Sequence, residues 1–196
     1  MLSLTDTILE VNRRLVGAKL DYAIGGALAL MHYTAEPRAT RDIDINVFVD
    51  IDRIDEVLLA LNGLIQIGPA DRGLFERDGQ MRFIAGNTVL DIILSVSDFH
   101  LEIQQMVEMH HFGKTQLPYI SATHLTVLKA LFDRPKDWVD ILEICRFGSL
   151  DSERALGWLV KFLNSNDERI AKLRAFALSS PDYEPKSFNE LIFQNR

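Results

Sequence analysis

The chain reads as an α+β protein in which a small mixed β-sheet flanked by helices precedes a helical C-terminal region. Three stretches predict this. Tyr22-Ala-Ile is a short apolar strand that runs into Gly25-Gly26 and then into good helix formers from Ala27 to Tyr33. Residues 42–49 set acidic or polar side chains between Ile43, Ile45, Val47 and Val49, the period of two that puts one face of a strand into a core. Beyond Ser97 the spacing changes to a succession of helical patterns.

The other elements follow in chain order. Residues 5–19 carry Ile8, Leu9, Val11, Leu15 and Val16 at mostly helical spacing, with Thr5 or Asp6 able to cap the start, and this helix should pack on the sheet. Residues 34–40, with Pro37, form a loop. Asp50 or Asp52 opens a helix to about Leu61 whose apolar stripe is Ile54, Val57, Leu58 and Leu61; the acidic residues there, Asp55 included, suit a helix start and its solvent face. Between Leu64 and Leu94 short strands are expected, with turns at Gly68-Pro69 and Asp78-Gly79. Gly86-Asn87 should join 81–84 to 89–94 as a hairpin that returns beside the Asp42 strand. Helices are then expected over about 98–110, 122–132, 135–147, 151–163 and 167–177, and 179–196 read as a loop with a short amphipathic end. The implied organisation is a core over residues 1–97 and a helical region over 98–196 that packs on it and closes its cleft.

At 196 residues the chain can bury a real core, and 47% hydrophobic with 25% charged residues is globular composition. The formal net charge of −7 gives no general attraction for a phosphate backbone, so a nucleic-acid substrate would need a local basic groove. The single cysteine, Cys145, lies in an apolar helical stretch, reads as a small buried hydrophobe and suits a reducing compartment. The N-terminus lacks a basic segment followed by a sustained apolar one, and no apolar run approaches the roughly 20 residues that span a bilayer. A cytoplasmic protein without a membrane partner is expected.

Side chains two apart on a strand point the same way with Cα atoms about 6.5–7 Å apart, so Asp42 and Asp44 project together while Ile43 and Ile45 enter the core. Two such carboxylates can share Mg²⁺, which prefers oxygen ligands and keeps positions for waters and phosphates. The competing reading is a solvated edge-strand face. Asp91 is the only charge in the apolar run 89–94, and a lone carboxylate there is costly unless it faces solvent or a cation, or is hydrogen-bonded in place. Gly25 and Gly26 let the backbone turn sharply and approach a phosphate, and the N–H groups opening the next helix attract its charge. Arg38 and Arg41 flank the Asp42 strand with guanidinium forks suited to phosphate oxygens or to surface ion pairs. His32 suits packing or capping.

In the helical half, Lys129 sits among Leu125, Val127, Leu128, Ala130 and Leu131, so its ammonium should reach out of a packed helix toward something negative. Asp137 and Asp140, three apart, share a helix face and can orient that lysine or an acceptor, cap the helix, or form ordinary ion pairs. His110-His111 lacks a Cys or His cluster around it and is not read as zinc-binding; Trp138 and Trp158 fit packing positions.

The Gly25-Gly26 turn followed by Asp42-Ile-Asp44 resembles the signature of the nucleotidyltransferase superfamily, with its DNA polymerase beta-like fold, and most closely the AbiEii/AbiGii toxin-like subgroup. The resemblance implies Mg²⁺-dependent transfer of a nucleoside monophosphate from an NTP to an acceptor hydroxyl, with Asp42, Asp44 and Asp91 holding two ions (Mn²⁺ is an alternative) and Asp91 completing the second site or acting as general base. It implies that Gly25, Gly26, Arg38, Arg41, Lys129, Asp137 and Asp140 bind the nucleotide, and that Lys129 with the Asp137–Asp140 stretch lies across the cleft from the carboxylates. The acceptor is then an RNA or tRNA end, a protein, or a small molecule such as an aminoglycoside or lincosamide, and the toxin-like reading, with a possible antitoxin partner, ranks slightly first. A non-catalytic nucleotide-binding module is the rival of a different class.

Overall fold

In the computed structural model, which describes residues 2–37, 39–95 and 97–178, Ser3 caps the first helix, α1 (Leu4–Gly17). Its hydroxyl accepts from Asp6 N at 3.1 Å while the Asp6 carboxylate accepts from Ser3 N at 3.2 Å, so a reciprocal capping box starts the helix slightly before the expected Thr5 or Asp6. The buried stripe of α1, Ile8, Val11 and Leu15, packs with that of α3 (Ile54–Leu61). Arg14 Nη1 donates to the carbonyls of Ala60 and Asn62 at 3.3 and 2.6 Å, satisfying the open C-terminus of α3. A single 3₁₀ turn over Ile51–Arg53 leads into α3.

Among the described residues the sheet has six strands: β1 (Tyr22–Ile24), β2 (Asp42–Val47), β3 (Gln80–Ala85), β4 (Thr88–Leu94), β5 (Glu108–Phe112) and β6 (Thr115–Tyr119). Their order is β3-β4-β2-β1-β6-β5. β2 runs parallel to β4 and β1 parallel to β6, and the other neighbours are antiparallel, so the sheet is mixed as expected. Ile43, Ile45 and Val47 of β2 and Leu90, Ile92 and Leu94 of β4 lie side by side on one face, fully buried. Burying each such side chain is worth about 1.5–3 kcal/mol, which fixes the register and turns the alternate residues to the opposite face.

Several expectations are corrected. Residues 71–78 form a helix, α4 (Asp71–Asp78), where strands were expected; the Asp71 carboxylate accepts from Gly68 N at 2.7 Å, and Phe75 alone is buried, so its hydrophobic periodicity was weak. The Gly86-Asn87 hairpin forms as expected. The helix after the double glycine, α2, covers only Gly26–Leu30 rather than reaching Tyr33, and β2 ends at Val47 rather than Val49. Helix α5 (Asp98–Gln105) stops short of His110, and 108–119 form a second hairpin on the far edge of the sheet.

The helices expected after the sheet are present: α6 (Ala122–Phe132), α7 (Pro135–Phe147), α8 (Ser152–Phe162) and α9 (Glu168–Leu178). Trp138, Trp158 and Cys145 are buried in them. The chain divides into two compact units at Ile120/Ser121 instead of at residue 97, because β5 and β6 belong to the sheet; the sheet unit takes the chain to Leu28 with Ala39–Ile120, and the helical unit takes the segment from Ala29 and the chain from Ser121. No helix among the described residues is long and apolar enough to cross a membrane. Arg38 and the 179–196 tail lie outside the described residues.

Candidate active site

The polar face of β2 is the starting point. Asp42, Asp44 and Asn46 alternate with the buried Ile43, Ile45 and Val47, and they run from exposed at Asp42 through half-buried at Asp44 to fully buried at Asn46. Strand β1 lies antiparallel beside them, and Gly25 N donates to Asp44 O at 2.8 Å. That bond holds the double-glycine turn directly against the Asp44 residue.

Gly26 is needed for space, and Gly25 is closely packed. A Cβ on Gly26, whose φ is +56°, would overlap the Asp44 carboxylate, and one on Gly25 would come within 3.1 Å of Asn46 Nδ2. The turn therefore makes room for the β2 side chains. Because α2 has only five residues, its N-terminus offers open N–H groups more than a developed macrodipole.

On the other flank of β2, the parallel ladder pairs Asp44 with Asp91, so the two carboxylates start from adjacent positions on one face. The Asp91 side chain is engaged by Arg82, which lies directly opposite on β3: Nε donates to Oδ1 and Nη2 to Oδ2, each at 2.7 Å. The hydrogen bond and charge of Asp91, with added attraction from Asp42 and Asp44, push the Arg82 guanidinium still higher than its ordinary range. Arg82 and Asn46 adjoin the candidate carboxylates and are not singled out by the sequence. Asn46 Oδ1 is buried without a hydrogen-bond partner among the described residues.

The structure brings together Gly25, Gly26, Asp42, Asp44 and Asp91, with exposed Arg41 immediately before β2. Lys129, Asp137 and Asp140 instead form a buried cluster within the helical unit. Lys129 Nζ lies 2.6 Å from Asp140 Oδ2 and 3.7 Å from Asp137 Oδ1, so the negative partner expected for this lysine is supplied by the next helix. Asp137 also accepts from the Arg134 backbone and guanidinium, closing the start of α7. Burial disfavours ionisation of Asp137, yet the Arg134 hydrogen bond and the Lys129 charge outweigh it and hold the carboxyl below its ordinary value. His110 and His111 occupy successive positions on β5 and so point to opposite faces.

The fold has counterparts among solved structures. The crystal structure of ANT(2'')-Ia in complex with adenylyl-2''-tobramycin matches at a TM-score of 0.53 and 15% identity over 89% of this chain and 97% of that one. The solution structure of the same antibiotic-resistance factor matches at 0.51 and 14%, over 89% and 91%. The chain has the nucleotidyltransferase fold. The lincosamide antibiotic adenylyltransferase LnuA, bound to lincomycin, shares it at a TM-score of 0.50 and 16% identity over 70% of this chain and 94% of that one. No family model and no curated protein matches the sequence. At these identities it is the nucleotidyltransferase fold that is shared.

The β2 face offers oxygen ligands of the kind a divalent ion such as Mg²⁺ prefers. Asp42 and Asp44 supply hard carboxylate oxygens, Gly26 keeps the space beside Asp44 clear of side chain, and Asn46 adds a buried amide oxygen on the same face. Among the described residues no group of three or more His, Cys, Asp or Glu is gathered as a cage, and the third carboxylate, Asp91, is turned to Arg82.

Proposed function

We propose that the chain is a divalent-metal-dependent nucleotidyltransferase that moves a nucleoside monophosphate from an NTP to an acceptor hydroxyl. The observation that carries this reading is the packing of the Gly25-Gly26 turn against Asp44, which puts a tight side-chain-free turn and a two-carboxylate strand at one place. Asp42 and Asp44 would hold Mg²⁺ or Mn²⁺, and Asp91 would hold a second ion or accept the proton of the attacking hydroxyl. When bound, the metal supplies charge neutralisation of the phosphates.

The residues of the chain do the positioning. The N–H groups at Gly26 and the start of α2 face phosphate oxygens, with Arg41 beside β2 as a further cation. The acceptor oxygen attacks the α-phosphorus, the bond to pyrophosphate breaks, and the hydroxyl proton passes to Asp91 or, where Asp91 holds the second ion, to water. The buried pairing of Lys129 with Asp140 and Asp137 supports a part for that lysine in holding α6 to α7. The triphosphate contacts then fall to the sheet unit.

For the acceptor we favour a small cationic molecule of the aminoglycoside class. By sequence the sheet unit carries nine Lys and Arg against sixteen Asp and Glu, while the helical unit is balanced at twelve of each, so the whole net charge of −7 belongs to the unit with the carboxylates. The shared fold of ANT(2'')-Ia is consistent with this class.

Incubation with α-labelled NTPs and, separately, aminoglycosides, lincosamides, total RNA and cell protein tests the reading. Metal-dependent label is expected in the aminoglycoside, and Asp44→Ala should reduce it to background while leaving the melting temperature near wild type. Label in RNA or protein would return the toxin-like reading. Activity that survives Asp44→Ala would remove β2 from the site.

A further inference from the structure

Arg82, Asp91 and Asp44 stand in one row across β3, β4 and β2, each directly paired with the next. Neighbouring strands lie about 4.8 Å apart, so the carboxylates at 44 and 91 begin side by side, with Asp42 one step along the same face. Like charges in such positions repel. Arg82 answers that repulsion with a bidentate pair, two bonds of 2.7 Å.

The two partners differ in their freedom to leave. The Asp91 side chain is only 22% exposed and is carried on a strand whose Leu90 and Ile92 are fully buried, so it stays where β4 puts it. The Arg82 side chain is 64% exposed and belongs to β3, at the edge of the sheet, so its guanidinium has open water to turn into when a stronger anion competes for it.

We propose that Arg82 is an exchangeable counter-ion that holds the second-cation position at Asp91, so that a divalent ion reaches Asp91 only after the guanidinium has swung away. The proposal rests on the metal-dependent reading of the β2 face. It makes site assembly ordered: one ion is held by Asp42 and Asp44 without nucleotide, and Asp91 remains closed. An incoming triphosphate then offers the guanidinium a competing anion of higher charge, and its phosphates carry the second ion in as Arg82 leaves. Arg82 is thus a positioning residue for Asp91, and a brake on idle metal loading.

Mn²⁺ binding to the full chain, followed by calorimetry and by electron paramagnetic resonance without nucleotide, tests this independently of turnover. Wild type is expected to take one ion tightly, and Arg82→Gln to take a second about tenfold more tightly than wild type does, the effect of removing a charge-assisted competitor. Arg82→Lys, which keeps the charge but loses the fork, should fall between them. Asp91→Asn should abolish the second ion in either background. An Arg82→Gln or Arg82→Lys protein that binds Mn²⁺ as wild type does overturns the counter-ion role while leaving the metal site standing. No Mn²⁺ bound by any of these proteins, with or without a non-hydrolysable ATP analogue, overturns the metal site itself, and the counter-ion role with it.

Discussion

A side chain at Gly26 would run into the Asp44 carboxylate, and its φ of +56° is one that an L-residue holds at a cost of about 1–3 kcal/mol. Gly26→Ala is therefore expected to lower unfolding free energy by about that amount and, by displacing Asp44, to weaken Mg²⁺–NTP binding by at least about tenfold. Denaturant unfolding and calorimetry read the two effects separately; an alanine variant with wild-type nucleotide affinity would show that the turn lies outside the site. Gly25, Gly26, Asp42 and Asp44 were legible in the sequence because each pair sits within one short element, where spacing alone fixes direction. Arg82 was not, since an arginine on an edge strand reads as ordinary solvent-facing alternation and its meaning lies across a ladder. Yet the signal was present: counting outward from the two-residue turn at Gly86-Asn87 pairs 85 with 88 and 82 with 91. Asn46 had no such signal, because its burial arises only when β1 and Gly25 pack beside it.

The same turn chemistry decides which elements were read and which were missed. Residues 86–87 were recognised as a hairpin turn between clear strands. At 113–114 the equivalent glycine-first turn, with Gly113 at φ +61°, was passed over because Glu108-Met-His-His-Phe112 lacks a period-two apolar pattern; β5 is an edge strand with no face fully buried. Helix α7 was legible from its Pro135 start and apolar spacing, but the weight carried by Asp137 emerges only in three dimensions. That carboxylate is fully buried, capped on Arg134 and close to Lys129, with its folded pKa below the ordinary 3.8. The unfolded chain therefore binds the proton more readily than the folded one. The stabilisation is fully present above about pH 4 and is lost as pH falls through the ordinary value toward the folded one. Asp137→Asn should accordingly be destabilised at neutral pH, and the gap to wild type should narrow on acidification. Denaturant melts from neutral to acid pH check this, and a gap that stays constant would show that the Asp137 charge contributes nothing.

At the scale of the whole molecule, charge is distributed by unit: the sheet unit holds the excess of seven carboxylates and the helical unit holds none. Part of the excess lies at the candidate site itself, where Asp42, Asp44 and Asp91 share one face of the sheet and Arg82 pairs with Asp91. A negative field of this kind repels a polyanion and draws in a polycation, and its reach shortens as salt screens it, from about 10 Å at 0.1 M to about 3 Å at 1 M. The acceptor's charge should therefore be readable from ionic strength. With a cationic aminoglycoside, kcat/KM is expected to fall severalfold as salt is raised from low to about 0.3 M, while a neutral acceptor of similar size changes little. With RNA the sign reverses, because salt relieves repulsion from the sheet unit. Labelling of RNA that is fast at low salt and declines as salt rises would mean that basic contacts overcome the field, and would sink the cationic-acceptor reading while leaving nucleotidyl transfer intact.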